Sequence, residues 1–122
     1  MQNILFFSPD LNLCTSLLMF FNDKYAVTTT TDFTSLNSIV NSTPFDLIII
    51  DSEPNVKIEN LCKQICDSPN PVPIILTYVY TAKLKQIEEK IKKYVTAIFY
   101  KPFDIFEVSK KIESILLHYS LK

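Results

Sequence analysis

Glycine is absent from the 122 residues, and arginine is absent too, since all 12 basic residues are lysines. Gly-rich phosphate loops, the dinucleotide fingerprint and the glycine-flanked serine elbow are therefore excluded, because each needs backbone without a Cβ atom. Without arginine the chain lacks the forked side chain that grips phosphate and reads guanine. The net charge is only −1. We therefore expect no nucleic-acid binding by this domain.

Targeting signals are also missing. The first residues carry no basic segment followed by an apolar stretch, and no apolar run reaches the length of a membrane span. The three cysteines are odd in number, which favours reduced thiols over a disulfide framework. With 48% apolar and 20% charged residues, the composition is that of a globular protein. These features predict a cytoplasmic protein without a membrane segment.

Five apolar runs of strand length alternate with five stretches of helical period. The apolar runs are residues 4–7, 25–29, 45–50, 72–76 and 95–100, and the helical stretches are residues 11–21, 34–41, 58–65, 84–94 and 105–119. Strict alternation predicts right-handed βα crossovers. The predicted fold class is α/β: a doubly wound, flavodoxin-like, five-stranded parallel sheet of order 2-1-3-4-5, with helices on both faces. Residues 1–122 are expected to form one such domain.

Polar side chains stand where these strands end. Residues 8–10 follow the first strand, Asp51 follows the third, Thr77 the fourth and Lys101 the fifth. In a sheet of this order the carboxyl ends of the strands meet at one crevice, at the topological switch point. An acid, a hydroxyl and an ammonium group that meet there are suited to binding a divalent cation and a phosphoryl group.

At these positions the chain resembles the receiver domains of two-component response regulators. The resemblance spans essentially all 122 residues, and its carriers are FDLIIID at 45–51, VPIILT at 72–77 and YKPFD at 100–104. It implies that Asp51 accepts a phosphoryl group from a histidine kinase or phosphotransfer protein. It also implies that Thr77 is the switch hydroxyl and that Lys101 pairs with the phosphoryl oxygens. The expected role is that of a phosphorelay switch, not an enzyme.

The metal site departs from the family. Receiver domains end their first strand in adjacent acids that hold Mg²⁺, whereas this chain has Ser8 and Pro9 there. Asp10 and Glu53 are the remaining candidates to join Asp51 as metal ligands. Because carboxylates and waters hold this hard cation, the loss of the acidic pair predicts that Mg²⁺ binding is weakened or absent.

The surroundings of the switch also depart from the family. Pro54 lies three residues beyond Asp51 instead of four, and Tyr78 replaces the small residue after Thr77, where a ring would narrow access to Asp51. Ile98 stands where receivers carry an aromatic residue three positions before the lysine. The usual hydroxyl–aromatic pair therefore lacks an obvious second member.

Two hypotheses stay open at this point. The first is a phosphate-accepting receiver with a downstream protein partner. The second is a pseudo-receiver that keeps the fold as an interaction or dimerisation module, with a homodimer through the fourth helix, fifth strand and fifth helix. A small-ligand binder of flavodoxin type is disfavoured by turns without glycine. The lysines of the fourth helix interleave with Glu88 and Glu89, which predicts a solvated face.

Overall fold

The computed structural model describes residues 1–120 of the chain. The strands are β1 (Asn3–Phe7), β2 (Ala26–Thr30), β3 (Leu47–Asp51), β4 (Ile74–Tyr78) and β5 (Ala97–Tyr100). The helices are α1 (Leu11–Phe21), α2 (Phe33–Ser42), α3 (Val56–Cys66), α4 (Lys85–Ile91) and α5 (Ile105–Ser120). The strands form one sheet of order β2-β1-β3-β4-β5, and every neighbouring pair is parallel. The predicted fold class is confirmed.

Strand β3 shows why the sheet carries helices on both faces. All five of its residues are buried, and successive side chains on a strand point to opposite faces. Ile48 and Ile50 pack into the layer formed with α2, α3 and α4, whereas Leu47 and Ile49 pack into the layer formed with α1 and α5. An uninterrupted apolar run is what such a doubly covered strand requires.

Side-chain oxygens cap the helices just after the strand ends. Asp10, Asp32 and Asn55 each accept hydrogen bonds from the first backbone N–H groups of α1, α2 and α3. Asp104 accepts from the N–H of Phe106 at 2.9 Å at the start of α5. No residue between 1 and 120 has a positive φ, so these turns form without glycine.

The fourth helical stretch differs from the prediction. A short 3₁₀ turn (Ala82–Leu84) precedes α4, which ends at Ile91, so that residues 92–94 lie in a turn. Glu88 was predicted on a solvated face, and this was wrong because the residue is only 3% exposed. It follows Leu84 by four positions and precedes Ile91 by three, which places it on the apolar stripe of the helix.

The described residues contain no long apolar helix. None of the helices between residues 1 and 120 combines the length and the apolar character needed to cross a bilayer.

The three cysteines are free thiols, of which Cys14 and Cys62 are buried and Cys66 is exposed.

Candidate functional site

Asp51 lies at the carboxyl end of the central strand β3 and is 4% exposed. The strand order places β1 on one side of it and β4 on the other, with Asp51 paired in register with Thr77. The end of β1 brings Ser8 to the same place. The predicted crevice at the switch point of the sheet is therefore formed by the ends of adjacent strands.

Three side chains donate to the Asp51 carboxylate. The Thr77 hydroxyl donates to Oδ1 at 2.8 Å, and the Ser8 hydroxyl donates to Oδ2 at 2.6 Å. Lys101 Nζ lies 3.2 Å from Oδ1 and 3.3 Å from Oδ2. The structure thus brings together Asp51, Thr77 and Lys101, the three residues that the sequence singled out. Burial of a carboxylate requires such partners, because an unpaired buried charge is costly.

The sequence placed Ser8 at this edge of the sheet, but its bond to Asp51 was not predicted. It is fully buried, and its hydroxyl accepts a hydrogen bond from the N–H of Asp10 at 3.0 Å while it donates to Asp51. That pair of bonds fixes the direction of the hydroxyl. The available signal was its position directly after β1, because β1 neighbours β3 in the predicted order. In this structure a neutral donor contacts Asp51 where the resemblance implies a metal-binding acid.

The other candidate metal ligands are used differently. The Asp10 carboxylate accepts from the N–H groups of Asn12 and Leu13 at 2.9 and 3.3 Å, and thereby caps α1. Glu53 is exposed, and its backbone carbonyl accepts from the side chains of Ser52 and Asn55. Within residues 1–120, no three His, Cys, Asp or Glu side chains are placed to hold a metal ion together.

The residues around Asp51 do not fit Mg²⁺. They supply one carboxylate, two hydroxyl groups and one ammonium group, and both carboxylate oxygens already accept hydrogen bonds. A cation at this carboxylate would lie beside the positive charge of Lys101 without a second acid to offset the repulsion. Any negative charge that develops in this pocket therefore has to be stabilised by its protein groups.

A second buried acid lies beside this pocket. The hydroxyls of Tyr78 and Tyr100, which are neighbours in register on β4 and β5, both donate to Glu88 Oε1 of α4. The Tyr100 bond measures 2.6 Å, and Lys92 Nζ lies 3.8 Å from Glu88 Oε2. We call these four residues the Glu88 cluster.

The Glu88 cluster corrects the prediction for Tyr78. Tyr78 is 2% exposed and packs in the core with Ile50 and Ile91. Its ring therefore lies beneath α4 and not at the mouth of the Asp51 pocket. Strand alternation explains the difference, because Thr77 already faces the pocket and the next side chain must point the other way. Two positions after Ile98, Tyr100 donates its hydroxyl hydrogen bond to Glu88.

Electrostatics in the Glu88 cluster follow from burial and these hydrogen bonds. Burial alone would raise the pKa of Glu88, but the bonds from Tyr100 and Tyr78, together with Lys92, hold it below its ordinary value. Donation to Glu88, with some burial, raises the pKa of Tyr100 to about 12. The pKa of Tyr78 is raised as well, first by burial and then by Glu88.

An alkaline titration should reveal this coupling. Because the pKa of Tyr100 is raised in the folded protein to about 12, its contribution to stability is complete below about pH 10 and is lost as the pH rises through 12. Absorbance of tyrosinate should show Tyr100 ionising late, and Glu88→Gln should move its titration toward pH 10. An unchanged titration in Glu88→Gln would contradict the assignment.

Comparison with known proteins agrees with the fold described above. No protein-family model matches the sequence, and no curated protein matches it. Solved structures do match, among them the signal receiver domain of a histidine kinase from Syntrophus aciditrophicus, with a TM-score of 0.85 at 16% identity. That comparison covers 97% of this chain and 92% of the other. The chain has the receiver-domain fold.

Two further solved structures with this receiver fold also match the chain. They differ in the share of their own length that the chain covers. The receiver domain of a Francisella response regulator gives a TM-score of 0.82 at 19% identity, covering 98% of this chain and 99% of the other. A protein described among streptococcal redox sensors that evolved from two-component response regulators gives 0.84 at 18% identity. The comparison with it covers 99% of this chain but 53% of the other, so the chain spans about half its length. These similarities establish the fold.

Proposed function

We propose that this receiver-fold domain is a two-component signalling switch and that Asp51 accepts a phosphoryl group from a histidine kinase or phosphotransfer protein. The observation that carries the proposal is the convergence of Thr77 and Lys101 on the two oxygens of Asp51. An aspartate is a competent nucleophile for aspartyl phosphate formation when neighbouring groups neutralise the developing charge.

In the proposed transfer, an oxygen of Asp51 bonds to phosphorus while the phosphorus–nitrogen bond to the donor histidine breaks. The electron pair leaves with the imidazole nitrogen. Lys101 and the hydroxyls of Thr77 and Ser8, which now donate to the carboxylate, become donors for the phosphoryl oxygens. The added charge and acceptor oxygens would shift the strand ends that carry these side chains.

A second candidate is a pseudo-receiver, which is favoured by one specific contact. The Ser8 hydroxyl occupies Asp51 Oδ2 at 2.6 Å where an acidic residue would be needed to recruit a cation. In this alternative the fold acts as a protein-interaction or dimerisation module without phosphate chemistry, and the hydrogen bonds on Asp51 are purely structural.

Output in either case is proposed through the face formed by α4, β5 and α5. Tyr80 and Tyr100 near this face are 41% and 45% exposed, and their ring centres lie 5.2 Å apart. Exposed apolar side chains that lie close together are typical of interaction surfaces. We propose that a downstream protein, or a second copy of the chain in a homodimer, binds there.

Phosphorylation with acetyl phosphate tests the two candidates. The protein is incubated with and without Mg²⁺, and intact mass reports whether one phosphoryl group is added. A phosphate-accepting receiver gives an adduct that disappears in Asp51→Asn. Wild-type protein without any adduct, or an adduct that persists in Asp51→Asn, would contradict the proposal.

A variant that restores the missing acids sharpens this experiment. Ser8→Asp together with Pro9→Asp places carboxylates beside Asp51, where a divalent cation then has the ligands it prefers. The pseudo-receiver hypothesis expects an Mg²⁺-dependent adduct in this variant and none in the wild type. Equal labelling of both proteins would favour the phosphate-accepting receiver.

A further inference from the structure

The two acid-centred clusters use adjacent residues of the same two strands. At the end of β4, Thr77 donates to Asp51 and the next residue, Tyr78, donates to Glu88. At the end of β5, Tyr100 donates to Glu88 and the next residue, Lys101, donates to Asp51. Successive side chains of a strand point to opposite faces, so each strand end presents one residue to each acid.

Backbone pairing joins the two strand ends firmly. The N–H of Lys101 donates to the carbonyl of Tyr78 at 2.9 Å, and Tyr78 and Tyr100 are partners in register. Because the two residues are consecutive in the chain, a backbone shift at Lys101 would also move Tyr100. Tyr78 is buried under α4 and has less freedom to respond.

Tyr100 also reaches the protein surface. It is 45% exposed, and its ring lies edge-on against Tyr80 with the ring centres 5.2 Å apart. Its hydroxyl nevertheless ends on Glu88, which is almost completely buried. One side chain thus connects a buried carboxylate with the exposed pair formed by Tyr80 and Tyr100, which we call the tyrosine surface.

We propose that Glu88 couples the Asp51 pocket to the tyrosine surface, by holding the Tyr100 hydroxyl inward while Lys101 stays on Asp51 and releasing it when Lys101 moves. Glu88 is a positioning residue in this account: in the described part of the chain its hydrogen bonds and ion pair join it to Tyr78, Tyr100 and Lys92 and not to Asp51. The proposal rests on the proposed function only in taking Asp51 as the point where the signal arrives.

A double-mutant cycle measures this coupling without any phosphorylation. Asp51→Asn and Tyr100→Phe are made singly and together, and urea unfolding gives the unfolding equilibrium constants. The combined effect should differ from the product of the single effects by about threefold or more. The matched control replaces Tyr100→Phe by Tyr80→Phe, which removes a hydroxyl from the same surface without touching Glu88. For Asp51→Asn with Tyr80→Phe, the combined effect on the unfolding equilibrium constant should equal the product of the single effects within about twofold.

Ring signals of Tyr100 in NMR spectra give a second readout. When Glu88 is present, Asp51→Asn should change the chemical shifts of the Tyr100 ring. In the Glu88→Gln background, the same substitution should leave these chemical shifts unchanged. A multiplicative cycle for Tyr100→Phe, or equal shifts with and without Glu88, would overturn the inference. If Glu88→Gln does not fold, the cycle alone decides.

The two proposals fail separately. A positive cycle without phosphorylation of Asp51 supports the coupling and overturns the phosphate-accepting function. An Asp51 adduct with a multiplicative cycle overturns the coupling and leaves that function in place.

Discussion

Glu88→Ala is expected to lower the free energy of unfolding by about 2–3 kcal/mol, because the buried Tyr78 hydroxyl loses its acceptor and cannot reach water. Tyr100 loses the same acceptor, but it is partly exposed and can bond to solvent, so its share is smaller. Removal of the buried carboxylate also relieves its desolvation, which limits the total effect. Shortening the side chain leaves space beneath α4, which adds to the loss.

Urea denaturation of Glu88→Ala and Glu89→Ala provides the matched comparison. Glu89 is the next residue of the same helix, but its side chain is 59% exposed and forms an ion pair with the exposed Lys92. Its replacement should change the free energy of unfolding by less than about 0.5 kcal/mol, as is usual for surface ion pairs. Equal losses in the two variants would show that the Glu88 cluster does not stabilise the fold.

Lys101→Met should lower the free energy of unfolding by about 2 kcal/mol. The substitution leaves the Asp51 carboxylate buried with two hydroxyl donors and no counter-charge, and removal of one partner of a buried pair usually costs about 3–5 kcal/mol. The smaller figure is expected because the Lys101 side chain is 31% exposed, so that solvent already screens the pair.

Adding Asp51→Asn to Lys101→Met should restore most of the lost stability, since the neutral amide needs no counter-charge. Lys110→Met on the exposed face of α5 is the control, and its effect should stay within about 0.5 kcal/mol. All four proteins are compared by urea denaturation at one pH. Failure of Asp51→Asn to rescue would mean that Lys101 stabilises the fold through packing of its carbon chain and not through its charge.

Local patterns were sufficient to predict the architecture. Apolar runs such as residues 45–50 indicated strands covered on both faces, and alternating helical periods indicated the crossovers. The positions of the strand ends could also be predicted. Asp51, Thr77 and Lys101 could therefore be assigned to one site before their distances were known. That grouping depends only on topology, because parallel strands bring their carboxyl ends to one edge.

The same patterns gave the wrong environment for Glu88 and Tyr78. A glutamate among lysines reads as solvated, and its burial becomes visible only when Tyr78 and Tyr100 are placed side by side on β4 and β5. A weak local signal existed, since Glu88 shares the apolar stripe of Leu84 and Ile91. Helical periodicity alone does not show whether a charged side chain on the apolar stripe reaches solvent or is buried and hydrogen-bonded.

The sequence by itself determined the order of elements, the sheet and the set of polar residues at its edge, because these follow from periodicity and chain connectivity. Only the tertiary structure decided which donors each buried acid receives. Ser8 reaches Asp51 across 43 positions of the chain, and Tyr100 reaches Glu88 across 12. Such contacts depend on which elements become neighbours in the fold. Local alternation gives the face of the sheet to which a side chain points, but not the partner that it meets there.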